Sequence, residues 1–192
     1  MTELEQYIKF NFEIIQPDEL NEVSSLFNPT TLKKGDYFLK EGIRCDKFCF
    51  IKTGYLRVFA ISGEKEITQW IASKGHLGTD FSSFFFNLPS RWTIQALENT
   101  ELFTITKENY NKIGNIVPQW SNLERTFLIK CLTIIESRVF SHLSMSAEER
   151  YNFFFENNKE LFNQVPLQYI SSMLGMTPET FSRIRKATFQ NS

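Results

Sequence analysis

Glu179 and Arg183 stand four residues apart, with Thr177, Thr180 and Ser182 around them and Arg185 and Lys186 close behind. Residues of these types can read a nucleic-acid duplex. A guanidinium donates two hydrogen bonds to the acceptor edge of guanine, and a carboxylate accepts from the amino group of cytosine, roles open to Arg183 and Glu179. Thr177 and Ser182, with the backbone amides of a helix start, can hold phosphates, and Arg185 and Lys186 add attraction to the backbone. Thr180 completes the candidate set. The chemistry requires that these side chains leave one exposed face of a rigid element.

Residues 165–186 predict such an element. Pro166 suits the first turn of a helix, where its missing amide proton costs nothing. Leu167, Ile170 and Leu174 then fall on one face, with Met173 adjoining. Gly175 can take the left-handed conformation that ends a helix. Thr177 can cap a second helix whose first residue is Pro178. In that helix Phe181, Ile184 and Thr188 share a face, while Glu179, Ser182, Arg183 and Lys186 point elsewhere. Helix, glycine turn and helix is the arrangement that lays its second helix in the major groove. That pattern alone is weak evidence and favours a helical hairpin that simply packs.

Other reactive residues give no competing chemistry. Cys45 and Cys49 are four apart and Cys131 is remote, so they form neither a paired metal motif nor a disulfide framework. His76 and His142 are too far apart in sequence to suggest a metal site. Gly75 and Gly78 are too closely spaced for a dinucleotide fingerprint. No nucleophile–base set is present, so neither an enzyme nor a bound metal or cofactor is expected. An enzyme built on a cupin-like barrel would lack its metal-binding histidines.

The rest of the chain has three textures. Up to residue 28, Leu4, Tyr7, Ile8, Ile14, Ile15, Leu20, Val23, Leu26 and Phe27 recur at three- and four-residue steps, which predicts helices interrupted at Pro17. Residues 29–106 are short strand-like runs separated by glycine, the signature of a sandwich or barrel, with a hairpin turn at 62–65. Beyond 106 the pattern is helical. Residues 120–143 contain neither proline nor glycine and carry two apolar stripes. Trp120, Leu123, Phe127, Cys131 and Ile134 form one, and Leu128, Leu132, Ile135, Val139 and Leu143 the other. Two stripes need two partners: the helix's own barrel and the same helix of a second subunit. The expected inter-subunit face comprises Phe127, Leu128, Cys131, Leu132, Ile135 and Val139. Ser146 and Glu149 have capping-box spacing, so a new helix begins at Ala147 and a domain boundary falls between His142 and Ser146.

Twenty phenylalanines promise a substantial core, and a net charge of -1 excludes a strongly basic whole-protein field while leaving room for a locally basic head. The acidic start predicts no signal peptide, and no stretch is long and apolar enough to span a bilayer, so the cytoplasm is the expected compartment.

The string from Thr177 to Arg183 resembles the recognition helix of the Crp/Fnr family of transcription regulators, whose base-reading glutamate and arginine fall on Glu179 and Arg183. The resemblance extends upstream. Residues 32–42 are similar to the family's early barrel strands, residues 48–58 to its strand–glycine–strand segment with Gly54 at the turn, and residues 75–79 to its phosphate-binding cassette. It implies an α+β chain: a β jelly-roll barrel of the cyclic-nucleotide-binding type with flanking helices (residues 1–117), a dimerisation helix (118–143) and a helix-turn-helix domain (144–192). It further implies double-stranded DNA as partner, a homodimer, a small-molecule effector and contact with RNA polymerase. The alternative is a sensor whose C-terminal helices bind a protein.

Two departures qualify what the family implies. Its nucleotide-binding members carry a Gly-Glu pair and an Arg-Ser pair; here these positions read Gly78-Thr79, followed by Asp80, and Ser90-Arg91, so the second pair is inverted. Trp92 and Phe84, Phe85 and Phe86 crowd the same region. A buried phosphate would lack its charge-assisted partner. The candidate pocket of Gly78, Thr79, Asp80, Ser90, Arg91 and Trp92 is therefore expected to take a ligand other than cyclic AMP, or none. The sequence also ends at Ser192 without room for a C-terminal wing, so modest intrinsic DNA affinity is expected.

Overall fold

A computed structural model describes residues 1–190, with side chains described as far as Thr188. The chain forms two compact units: one of Met1–Val58 with Ala72–Leu132, the other of Phe59–Ile71 with everything from Thr133 onward.

The first unit opens with helices α1 (Glu3–Phe12) and α2 (Pro17–Ser25). A complete capping box starts α1, with the Glu5 amide donating to Thr2 Oγ1 at 3.2 Å and the Thr2 amide to Glu5 Oε2 at 2.7 Å. Leu4, Ile8 and Phe12, each four residues on, form its buried face. Strands follow: β1 (Asn28–Leu32), β2 (Tyr37–Leu39), β3 (Lys47–Thr53), β4 (Leu56–Ser62), β5 (Lys65–Ala72), β6 (Leu77–Gly78), β7 (Thr93–Ala96) and β8 (Thr100–Thr106). They make two four-stranded sheets, ordered β1-β8-β3-β6 and β2-β7-β4-β5. Pairing is antiparallel between β1 and β8, β3 and β8, β3 and β6, and β2 and β7. The turn from β3 into β4 requires Gly54, whose φ is +86° and whose added Cβ would lie 2.9 Å from Thr100 Cα.

Between β6 and β7 lies α3 (Phe81–Phe86), and after β8 come α4 (Lys107–Tyr110), α5 (Ile113–Ile116) and the long α6 (Trp120–Ser144). An aromatic cluster joins these elements. The Phe12 ring lies 4.7 Å from Phe127 and 5.0 Å from Trp120, Phe48 lies 5.2 Å from Phe50, and Tyr110 lies 5.2 Å from Phe84. Each such pair adds about 0.5–1.5 kcal/mol beyond its burial. Phe127, read from sequence as part of an inter-subunit face, is therefore a core residue of this unit, 2% exposed. The two stripes on α6 adjoin, and Phe127 belongs to the one that Phe12, Phe48 and Phe81 cover.

The second unit comprises the outer part of the β4–β5 hairpin, the C-terminal half of α6, and helices α7 (Ala147–Asn157), α8 (Leu161–Gln164), α9 (Leu167–Met173) and α10 (Pro178–Gln190). The capping box expected at Ser146 is formed, with the Ser146 amide donating to Glu149 Oε2 at 2.7 Å and the Glu149 amide to Ser146 Oγ at 3.3 Å. Hydrogen bonding to Ser146 holds the Glu149 carboxyl below the usual carboxylate range. The core includes Tyr151, Phe162 and Phe181, with Tyr151 5.3 Å and Phe162 6.0 Å from Phe181, and half-buried Phe155 lies 4.9 Å from Phe162. Arg150 secures α7, donating from Nη1 to the Met145 carbonyl at 2.6 Å and from Nε to the Leu174 carbonyl at 3.1 Å.

Candidate nucleic-acid interface

α9 ends on a paired hydrogen-bond motif. The Met176 amide donates to the Ser171 carbonyl at 2.9 Å and the Gly175 amide to the Ser172 carbonyl at 3.0 Å. Both bonds close only because Gly175 adopts φ +68°. The chain reverses there and α10 begins at once. Thr177 Oγ1 accepts from the Thr180 amide at 3.2 Å, and Pro178 occupies the first helical position, where no amide is needed. Unlike α10, α9 starts after Pro166, which lies outside the helix as its N-cap residue.

The 3.6-residue period then sorts α10 into two faces. Phe181 and Ile184 are buried, Phe181 at 2% exposure beneath Tyr151 and Phe162. Glu179, Ser182, Arg183 and Lys186 are exposed and, with Ala187, line one open depression. Hydrogen bonding from its own backbone amide, and secondarily from Thr177, holds the Glu179 carboxyl below the usual range. The face thus presents an ionised acceptor between hydroxyls and two cations at neutral pH. Thr180 and Arg185 are half-buried and lie outside that depression, and Thr177 serves as the cap.

The pocket residues chosen from sequence do not share one surface. Gly78 is buried on β6 opposite Cys49, and a Cβ there would meet Cys49 Sγ at 2.9 Å. Thr79 is half-buried and donates to the Lys47 carbonyl at 3.2 Å. Asp80 is buried and caps α3, its Oδ1 accepting from the Ser83 amide at 3.1 Å. Ser90, also buried, donates to Asp80 Oδ2 at 2.7 Å and accepts from the Trp92 amide at 3.0 Å. Arg91 is exposed and Trp92 half-buried. Inversion of the Arg-Ser order thus leaves the hydroxyl inside and the guanidinium outside, and sequence spacing gave no sign that Ser90 would bond to Asp80.

On α6, Leu128 and Cys131 are half-buried, while Leu132, Ile135 and Val139 are exposed. Further along, Phe140 is 68% and Leu143 83% exposed. Burial pushes the Cys131 thiol up to about 11. Cys45 and Cys49 are buried, and among the described residues no group of three or more His, Cys, Asp or Glu is placed to hold a metal ion. Among those residues, too, no helix is long and apolar enough to cross a membrane.

Residues 29–115 match the cyclic nucleotide-binding domain family. No curated protein sequence matches the chain. Among solved structures the chain is similar to FixK2 from Bradyrhizobium japonicum, with 17% identity over 86% of this chain and 85% of that one and a TM-score of 0.74. It is similar to the Thermus thermophilus catabolite activator protein, with 21% identity over 94% and 86% and a TM-score of 0.58. A third likeness is to cAMP-bound PfPKA-R, with 16% identity over 58% of this chain and a TM-score of 0.53; the chain spans 40% of that protein. At these identities the likeness is one of fold.

Proposed function

We propose that the chain is a sequence-specific DNA-binding regulator of transcription, of the Crp/Fnr type, acting as a homodimer under control of its two-sheet sensor domain. The reading takes the two sheets as a jelly-roll barrel, α6 as the dimerisation helix and α9–α10 as a helix-turn-helix whose second helix enters the major groove. One observation carries it: Glu179, Ser182, Arg183 and Lys186 stand together on the exposed side of a helix whose other side is fixed by Phe181 and Ile184. Match to a cyclic nucleotide-binding domain and likeness to an activator protein favour the same reading. Arg183 reads guanine and Glu179 reads cytosine, while Thr177, Thr180, Ser182, Arg185 and Lys186 hold the backbone. Two such helices about 34 Å apart would read a near-palindrome.

In this reading the effector of the sensor is not cyclic AMP. Asp80 places the chain's own carboxylate, partnered by Ser83 and Ser90, in the segment assigned to the phosphate, and Arg91 is exposed. RNA polymerase is the expected protein partner, and no catalytic step is assigned.

The decisive experiment selects bound fragments from random or genomic duplex DNA and repeats the binding at two salt concentrations. Recovery of one enriched near-palindrome, with affinity falling steeply as salt rises, is the expected result. Arg183→Ala should then cost about 1–3 kcal/mol of specific binding with the fold intact. Unchanged affinity in that variant, or no enriched sequence, would overturn the assignment.

A further inference from the structure

β5 is the edge strand of its sheet, and an edge strand presents unpaired backbone groups. One side chain meets two of them here. The Thr68 amide donates to Ser172 Oγ at 2.9 Å, and Ser172 Oγ donates to the Glu66 carbonyl at 3.3 Å. An amide and a carbonyl two residues apart are the pair that a single residue of a parallel neighbouring strand would engage. The Ser172 hydroxyl, projecting from α9, takes that place.

The same residue holds the next link through its backbone. Its carbonyl accepts from the Gly175 amide at 3.0 Å, one of the two bonds that close the turn into α10. From the other side, the Arg138 guanidinium of α6 lies over the Trp70 ring of β5, 4.9 Å from its centroid. The hairpin is therefore tied to α6 at Trp70 and to the start of the recognition turn at Ser172.

We infer that Ser172 is a latch coupling the β4–β5 hairpin to the turn that orients α10, so that a change in the hairpin is passed to the DNA-facing helix and the reverse. The bond carried by the side chain and the bond carried by the carbonyl belong to one residue, so displacing β5 moves the acceptor that sets Gly175. Coupling of this kind is reciprocal. The inference rests on the proposed role of α10 only for its DNA arm.

Amide hydrogen exchange on the full chain tests it. Ser172→Ala should speed exchange in residues 65–69 and 171–178 by about fivefold to tenfold, the change expected when one hydrogen bond is lost from a local opening. Ser172→Thr, which keeps the hydroxyl, should retain most of the protection and guards against a variant that merely misfolds. Trp70→Ala should speed exchange in 171–178 in the parent and add nothing in the Ser172→Ala background. A merely structural contact would give additive effects. Additivity, or unchanged exchange in Ser172→Ala, would overturn the latch. In the DNA arm, a duplex selected by the protein itself should slow exchange in 65–69 in the parent and not in Ser172→Ala; equal slowing in both would also overturn it. If no duplex is bound, the reading of α10 fails while the exchange cycle still decides the latch.

Discussion

The buried hydroxyl of Ser90 donates to the buried carboxylate of Asp80 at 2.7 Å, across a ten-residue excursion that contains the whole of α3. The other oxygen of that carboxylate accepts from the Ser83 amide at 3.1 Å. A nucleotide phosphate arriving here would meet a like charge whose acceptors already have donors. Titration calorimetry with cyclic AMP and cyclic GMP should show no micromolar binding of either. Asp80→Ala, which takes the acceptor from the α3 start and leaves the Ser90 hydroxyl only the Trp92 carbonyl, should lower stability by about 1–3 kcal/mol in a denaturant melt. Micromolar affinity for either nucleotide would refute this account of the pocket.

Gly175 sets the geometry of the turn into α10. Its φ of +68° is a left-handed conformation, and an added Cβ would stand 3.4 Å from the His142 ring. Gly175→Ala should cost about 1–2 kcal/mol and lower the proposed DNA affinity even though residue 175 lies outside the depression lined by Glu179, Ser182, Arg183 and Lys186. A thermal melt alongside a binding titration separates the two losses. Full affinity in a destabilised variant would show that α10 does not depend on this turn.

Charges placed on the exposed part of α6 should dissociate the proposed dimer. Ile135 and Val139 are exposed in the single chain, so Ile135→Glu with Val139→Glu leaves its core untouched. Sedimentation should then find the monomer, with unchanged circular dichroism and weakened binding to a two-half-site operator. A parent that is already monomeric at micromolar concentration would contradict the proposal.

Cys131 should be a slow thiol. Burial raises its ionisation to about 11, and the thiolate is the reactive form. Alkylation of the native protein at pH 7 should therefore be far slower than in urea, and its rate should climb as pH rises toward 11. Fast labelling at neutral pH would show that this part of α6 is open.

Much of this was legible in the chain itself, for local reasons. Glycine punctuation marked the strands, and residues 62–65 marked the hairpin turn now seen with Gly63 at φ +61°. Ser146 with Glu149, and Thr177 with Pro178, announced helix starts, because a cap is written within four residues. α3 was hidden: three consecutive phenylalanines speak of burial and not of helix, and the element is set by the Asp80 cap and by Asn87 at φ +58°. On α6 the adjoining stripes do not say which is covered, so the sequence puts Phe127 on the inter-subunit face while the structure buries it within its own unit. Ser172 gave no local signal, since its partners at Glu66 and Thr68 lie more than 100 residues away in sequence.

The unit that holds the candidate DNA-reading surface is made from two separated lengths of chain, one of them the hairpin interval Phe59–Ile71. No single cut can therefore release it. A fragment beginning at Thr133 would keep every residue of α7 to α10 yet lose the strand on which Ser172 closes and the ring beneath Arg138. For the same reason the unit cannot be exchanged with that of another protein by swapping C-terminal sequences alone; a folded chimaera must carry both pieces across together.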